Sequence, residues 1–469
     1  MKPDLTILPE CSAWLDRVSR HAAGELFGHP AAAWREKTRR ELGLPVDRPI
    51  IATGHQTLLW HPGILVKYLL CDAVAAACDL ARANLIVDQH SGGFGEFEIP
   101  IRRSDDSLAV RRIELTAARA DVPMALHEPF TPLPPPMHLP AALPSVAEGV
   151  QRIHGTICAH RDAPNAALQM AAALADLMRP WVAPMPNVTA SDLVETSLSR
   201  ALLAEMAADP HRCAESYNRA VAALPEVGIA PLLVRDEYIE LPLWRIRADG
   251  RRMHAYDNDV QEWLERAADP PRLMPRALFM TALIRLGMCD LFIHGTGGAN
   301  YDRAMERWIG DWLGVEPAPI AVATATLHLP LGPPEGGDVP DVQAARAEAR
   351  RAWHDPESAE AREDDSEEEA RRPGPIKRDL LDAVSSAPYG SSRRREAFFA
   401  MHREVQVLRG VHAGSVERYQ RRAAEAARRQ ADAAVATRRD WPFPLYPREM
   451  IDELADAVAR RAGACEKSS

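Results

Sequence analysis

The polar residues best suited to chemistry stand in a turn between an apolar run and an apolar helix. The turn is Thr53-Gly54-His55-Gln56, and His61 follows just before the expected start of the helix at Pro62. Proline fits a first helical turn, because its missing N–H would have no partner there. Backbone N–H groups at such a turn favour anions, and imidazoles transfer protons near neutral pH. A plain turn with two solvated histidines fits this stretch equally well.

Two further polar clusters also follow predicted strands. Asp88-Gln89-His90 ends a predicted strand at 84–88, and His294-Gly-Thr-Gly297 follows the apolar run Leu291–Ile293. Residues 49–88 form a strand–helix–strand unit, whose strands should be parallel with a right-handed crossover. Ligands of such sheets bind beyond the carboxyl ends of the strands. The spacing therefore predicts one binding site at which the three clusters meet.

The remaining pattern up to residue 330 predicts an α/β core with helical and hairpin insertions. Residues 129–145 carry seven prolines and predict an extended surface connection. Ser191 or Asp192 is expected to cap a helix, and Asp249-Gly250 is a hairpin signal. Further helices are predicted at 11–43, 146–180 and 191–223, and further strands near 97–101, 110–115, 230–234, 241–246 and 317–323.

The composition changes after residue 330. We predict a helical arm over 331–440, interrupted near 355–375 by an acidic disordered loop, because residues 355–369 include nine acidic residues and no apolar run. Residues 393–438 predict a long charged helix with coiled-coil spacing in its first half. That arm would pack on the earlier helices or on a second subunit as a homodimer. Residues 441–469 should return to the core and end in a helix.

The bulk composition is that of a soluble globular protein. The 469 residues are 46% hydrophobic and 26% charged, and the formal net charge of −10 argues against general nucleic-acid binding. Seven scattered cysteines without a CxxC pair predict reduced thiols. No apolar run approaches the roughly 20 residues that cross a bilayer, and the start lacks a signal-peptide core. We expect a cytoplasmic protein without membrane contact.

The order of these parts resembles the bacillithiol biosynthesis cysteine-adding enzymes, a family of cysteine ligases. The turn at 53–56 with Leu59-Trp-His-Pro-Gly63 is similar to that family's Thr-Gly-Gln-Gln turn and helix. The segment at 294–301 is similar to its Gly-Gly-Pro-Gly segment with a following tyrosine. The departures are His55 in place of Gln, His294 in place of Gly, Gly298 in place of Glu and Asp302 in place of an aromatic residue.

The resemblance implies a Rossmann-like core, a coiled-coil-like arm and a reaction that joins an amino-acid carboxyl group to a small-molecule amine. A carboxylate needs activation before it acylates an amine, so ATP or ADP, together with Mg²⁺, is the expected cofactor. The candidate catalytic residues are His55, His61, Asp88, His90, Glu96 and His294. The candidate substrate- or nucleotide-binding residues are Thr53, Gly54, Gln56, Gly63, Lys67, Gly295, Thr296, Gly297, Gly298, Asn300, Tyr301 and Asp302.

Two other function classes remain open from the sequence. His55, His61, Asp88, His90 and His294 could form the ligand set of a metal-dependent hydrolase, although their spacing matches no known metal motif and HExxH is absent. A non-catalytic ligand-binding scaffold is the third class, and Gly298 in place of the family's Glu favours it.

Overall fold

The computed structural model describes residues 3–20, 24–117, 119, 121–266, 270–332, 341–360 and 373–463. Two compact units account for the chain. The first consists of Met1–Ile99, Arg111–Leu329 and Arg439–Ser469, and the second of Pro100–Val110 and Pro330–Arg438. The first unit contains the sheet and every cluster that the sequence pattern singles out.

The described strands are β1 (Asp4–Leu8), β2 (Glu25–Leu26), β3 (His29–Pro30), β4 (Ile50–His55), β5 (Ala81–Ile86), β6 (Glu96–Arg102), β7 (Leu108–Glu114), β8 (Asn187–Thr189), β9 (Glu240–Ile246), β10 (Arg252–Tyr256), β11 (Arg272–Pro275), β12 (Leu291–His294) and β13 (Ile320–Thr326).

The described α-helices are α1 (Trp14–Arg20), α2 (Ala31–Glu41), α3 (Pro62–Ala77), α4 (Pro144–Ala159), α5 (Ala166–Met178), α6 (Ala190–Val194), α7 (Ser197–Ala208), α8 (Pro210–Ala222), α9 (Asp257–Glu265), α10 (Ala277–Leu283), α11 (Thr296–Leu313), α12 (Val342–His354), α13 (Pro375–Ser386), α14 (Ser392–Val411), α15 (Ala413–Ala436) and α16 (Arg448–Ala462).

A six-stranded, mostly parallel sheet organises the first unit, so the predicted α/β class is confirmed. Its order is β1-β13-β12-β4-β5-β8, and only β1 runs antiparallel to its neighbour within this sheet. The chain leaves β4 toward β5 on one side, and leaves β12 toward β13 on the other. Since β4 and β12 are adjacent, a topological switch point lies between them, which is where open α/β sheets bind ligands.

The two central strands are held together by a buried ion pair. Asp290 Oδ1 accepts from Arg35 at 2.9 Å, and Oδ2 accepts from Arg39 at 2.6 Å and from the Ile50 N–H at 2.7 Å. Burial alone would raise the pKa of Asp290, but Arg39, the Ile50 N–H and Arg35 lower it below its ordinary value. A carboxylate just before β12 thus binds the first residue of β4, and α2 supplies both of the arginines.

The helix after β4 is buried because its sequence is apolar on nearly every side. The side chains of Leu65, Val66 and Leu70 have no exposed surface. Helix α3 packs against β13 and α16. The predicted start of this helix at Pro62 is confirmed, and its preceding residue, His61, accepts the N–H of Gly63 as an N-cap.

The sequence pattern misplaces several elements of the first unit. Strand β1 was not predicted, and residues 230–234 form an isolated bridge at Val234 instead of a strand. The cap of α6 is Thr189, and Asp192 is the third residue of its capping box, so the prediction of Ser191 or Asp192 as cap is wrong. The hydroxyl of Thr189, two residues before Ser191, accepts the Asp192 N–H at 2.9 Å.

The second unit consists mostly of helices. Helix α12 packs against α15, and α13 packs against α14. The single helix predicted for 393–438 is two helices, α14 and α15, with His412 between them. Pro356–Glu360 forms a short 3-10 helix, so the prediction of a disordered loop is wrong for these residues. The rest of that loop, residues 361–372, lies outside the described residues.

Candidate functional site

A cavity of about 750 Å³ opens at the carboxyl ends of β4 and β12. Its lining includes His55 and Gln56 after β4, and the segments 89–90 after β5 and 294–298 after β12. All three predicted polar clusters contribute: 294–297 lines the cavity in full, 53–56 contributes all but Thr53, and 88–90 contributes Gln89 and His90. The volume lies within the usual range for small-molecule sites, which is roughly 300–1,000 Å³.

A buried lysine from α3 supplies positive charge to the cavity. The Lys67 side chain is 3% exposed, and its Nζ donates to the Gly54 carbonyl at 2.7 Å. Among the described residues no carboxylate lies within ion-pair distance of this amine. Burial lowers the pKa of Lys67 to about 7. An anion in the cavity would supply the missing partner and would raise that pKa again.

The histidines of the first turn are held as neutral imidazoles. Burial, followed by the nearby charges of Lys67, His61, His90 and His294, lowers the pKa of His55 to about 2. Burial also lowers the pKa of His61 and of His90. His61 Nδ1 accepts the Gly63 N–H at 3.1 Å, so the neutral ring carries its hydrogen on Nε2 and can donate it to a ligand.

The second turn places its histidine beside a carboxylate. His294 Nε2 lies 2.8 Å from Asp302 Oδ2 without the geometry of a hydrogen bond, and the same oxygen accepts from Arg285 at 2.9 Å. Asp302 is fully buried, and Arg285 also donates to Glu306 at 2.5 Å. Arg285 lies in a π-helical turn, Ile284–Met288, a distortion frequent at functional sites. Asp302 therefore positions His294 from beneath the cavity.

Three glycines of the two turns permit close packing. A Cβ at Gly54 would lie 2.5 Å from Leu85 Cβ, one at Gly63 would lie 2.8 Å from the Ala325 carbonyl oxygen, and one at Gly298 would lie 2.3 Å from His294 Nδ1.

Gly295 precedes α11 and makes no side-chain cap hydrogen bond. The first N–H groups of this 18-residue helix therefore remain available at the cavity, where the helix dipole favours an anion.

Residues beyond the predicted clusters add further positive charge. Arg252 and Arg276 line the cavity, with their guanidinium carbons 4.9 and 5.0 Å from the ring centroid of Trp244. Arg276 pairs with Glu240. Arg252 donates to the Gln89 carbonyl at 3.0 Å and to the Ser91 hydroxyl, and within the described chain no carboxylate pairs with it. Arg252 lies on the predicted hairpin and Arg276 directly precedes α10, and neither position gave a signal of function in the sequence.

Some predicted site residues lie elsewhere or have structural contacts. Asp88 does not line the cavity; it accepts from the Ser191 N–H at 3.1 Å, and burial raises its pKa to about 6. Glu96 is exposed and pairs with Arg112 at 3.2 Å. Thr53 is buried and donates to the Ile293 carbonyl at 3.0 Å, which joins β4 to β12.

The remaining predicted residues belong to the start of α11. Thr296, Gly297 and Tyr301 line the cavity, and Tyr301 is 43% exposed. Asn300 is exposed and is not part of the lining.

The five residues of the metal-site hypothesis do not converge. Asp88 is directed to the backbone of α6, and His294 is directed to Asp302. Within the described parts of the chain, no three His, Cys, Asp or Glu side chains are grouped so that they could hold a metal ion. The geometry instead combines neutral imidazoles with lysine and arginine, a combination that suits an anionic ligand.

The chain matches no protein-family model, and a search of curated proteins gives no match. Of the helices that the structure describes, none has the length and apolar character needed to span a bilayer.

Proposed function

We propose that the cavity binds an anionic small molecule, and that the protein is a ligase that joins an amino-acid carboxyl group to an amine with the help of a nucleotide. The observation that carries the proposal is the buried amine of Lys67, which faces the cavity and has no carboxylate partner among the described residues. A buried cation without a counter-charge costs free energy, which an anionic ligand would recover.

The switch point and the start of α11 support a phosphate-bearing ligand. We propose that the parallel sheet is a Rossmann-like core in which Lys67 and the first N–H groups of α11 receive the phosphates. Arg252 supplies a second cation at the wall formed by β10. The cavity of about 750 Å³ has room for a nucleotide and part of a second substrate.

The imidazoles suit the acyl-transfer half of the reaction. The substrate carboxylate attacks the γ-phosphorus of ATP and displaces ADP, or attacks the α-phosphorus and displaces pyrophosphate. The amine then attacks the activated acyl carbon and expels inorganic phosphate or AMP, respectively. His90 is neutral and lines the cavity, so it can accept the proton that the amine loses. His61 Nε2 can donate to the acyl oxygen. The resemblance to cysteine-adding enzymes supports an amino acid as the acyl donor.

Nucleotide binding tests the first part of the proposal. We expect ATP with Mg²⁺, and ADP, to raise the melting temperature of the wild-type protein. Lys67→Met should weaken binding by about tenfold to a hundredfold, because a charged hydrogen bond is lost. Lys37→Met is the matched control, since Lys37 is exposed on α2 and lies outside the cavity. A wild type that binds neither nucleotide, or equal binding by the Lys67 variant, would contradict the proposal.

Product analysis tests the reaction itself. The protein is incubated with ATP, Mg²⁺, mixed amino acids and a panel of primary amines, and the release of ADP or AMP is measured. We expect release that depends on both an amino acid and an amine, together with an amide product detected by mass spectrometry. Nucleotide hydrolysis that is independent of both substrates would contradict the ligase assignment and leave the binding result standing.

A further inference from the structure

A second, smaller cavity of about 140 Å³ shares His55 with the large one. Its wall is mostly apolar and includes Trp60, Ala171, Met178 and Val182. The indole of Trp60 stacks on the ring of Tyr68 at 4.4 Å between centroids. This cavity takes no part in the anion binding proposed above, because neither Lys67 nor the start of α11 lines it.

Two polar atoms in its wall have no hydrogen-bond partner. The Tyr68 side chain is 1% exposed, and its hydroxyl is buried without a partner. Asn84 Nδ2 donates to Asn187 Oδ1 at 2.8 Å, whereas Asn84 Oδ1 is buried and unpartnered. Buried polar groups in folded proteins are nearly always paired with protein, water or ligand. Both residues line this small cavity, so their unpartnered hydroxyl and amide oxygen are candidate partners for an incoming group.

The charges around this cavity indicate an uncharged occupant. Arg179 carries the one permanent charge among the described lining residues, and it pairs with Asp176. Burial raises the pKa of Tyr68 well above its ordinary value, so the hydroxyl stays protonated and can donate. Neither a carboxylate nor an ammonium group would find a free counter-charge in this wall.

We propose that the smaller cavity is a binding site for an uncharged, partly apolar group that carries one hydroxyl or amino substituent. The substituent would accept from Tyr68 Oη and donate to Asn84 Oδ1, while a ring or branched chain contacts the apolar wall. An apolar protein cavity of about 150 Å³ holds benzene, so the occupant is roughly of that size. An occupant of either cavity would contact His55.

Phenol and toluene are suitable probes, because they share a ring and differ in the hydroxyl. Binding to the full chain is measured by ligand-observed NMR titration without nucleotide, so the outcome is independent of the ligase proposal. We expect phenol to bind more tightly than toluene. Tyr68→Phe should weaken phenol binding by about fivefold and leave toluene binding unchanged. Because this substitution removes an unpartnered hydroxyl, it should not impair folding.

Tyr217→Phe is the matched control, since Tyr217 is equally buried but lines the large cavity. Phenol binding should be the same in this variant as in the wild type. Loss of phenol binding in Tyr217→Phe but not in Tyr68→Phe would place the probe in the large cavity and overturn the proposal. Absence of binding by both probes would also overturn it, because the cavity would then hold solvent alone.

Discussion

The two strand–turn–helix segments at the switch point, β4–α3 and β12–α11, are alike in sequence pattern but differ in electrostatics. In the first, the N-terminus of α3 is capped by His61, and positive charge enters from Lys67 in the second turn of the helix. In the second, Gly295 leaves the N-terminus of α11 uncapped, and the histidine of the turn lies beside Asp302. A shared backbone arrangement therefore does not determine which chemical group each turn presents.

The two segments therefore contribute different groups to the cavity. The β4–α3 segment contributes a titratable amine and imidazoles held neutral by burial. The second contributes backbone N–H groups and a histidine whose position is fixed by a buried carboxylate. An anionic ligand between them would meet a side-chain cation on one side and a helix N-terminus on the other.

The largest expected effect comes from weakening the link between β4 and β12. Asp290→Asn removes the charge that pairs with Arg35 and Arg39 beside the first residue of β4. Loss of one partner of a buried ion pair leaves uncompensated charge, so the free energy of unfolding should fall by about 3–5 kcal/mol. Urea denaturation followed by circular dichroism measures this change.

Asp79→Asn is the control for that substitution, because Asp79 pairs with Arg48 at the surface. Its effect should be no more than about 1 kcal/mol. Equal losses in the two variants would show that the buried pair does not join β4 to β12.

The next effect concerns Lys67 of the β4–α3 segment and depends on pH. The folded-state pKa of Lys67 is about 7, below the ordinary value of 10.5, so the folded state binds fewer protons than the unfolded state between these values. The cost of burying this amine is therefore complete below about pH 7 and fades as the pH rises toward 10.5. Lys67→Met should raise the free energy of unfolding near pH 7 by about 2 kcal/mol or more.

Denaturation of the wild type and this variant at about pH 6, 7.5 and 9 measures the trend, and the stability difference should narrow as the pH rises. Lys37→Met should change stability by less than about 0.5 kcal/mol at each pH, because Lys37 is exposed. A Lys67→Met gain that does not vary with pH would show that the amine is not held in a shifted ionisation state.

Local sequence pattern was sufficient to predict the parts of the fold built from contiguous segments. The strands β4 and β12, the helix at Pro62 and the α/β class are all confirmed, since apolar runs, proline and glycine act over a few residues. The edge strand β1 was missed because its pairing with β13 joins segments more than 300 residues apart. No local pattern carries that information.

The site was only partly predictable for the same reason. The rule that strand ends converge placed His55, His90 and His294 together, but it could not give the direction of a side chain. Asp88 follows the end of β5, yet its carboxylate is directed to the N-terminus of α6. Arg252 reaches the cavity from a separate three-stranded sheet, and its contribution depends on the packing of distant segments.

The smallest expected effect tests how the β12–α11 segment positions His294. A Cβ at Gly298 would lie 2.3 Å from His294 Nδ1, whereas one at Gly297 would have no heavy atom within 4 Å. Gly298→Ala should therefore displace the ring and cost about 1–3 kcal/mol. Gly297→Ala, one residue earlier in the same helix, should gain up to about 1 kcal/mol from helix propensity.

Denaturation gives the stability of each alanine variant, and the NMR chemical shifts of the His294 ring separate a displaced ring from a general loss of packing. These shifts should change in Gly298→Ala and match the wild type in Gly297→Ala, because Asp302 contacts only a correctly placed ring. Unchanged ring shifts in both variants would mean that Asp302 alone positions this histidine. Gly298 would then be needed for helix packing. The β12–α11 segment would hold the His294 imidazole as firmly as the β4–α3 segment holds Lys67.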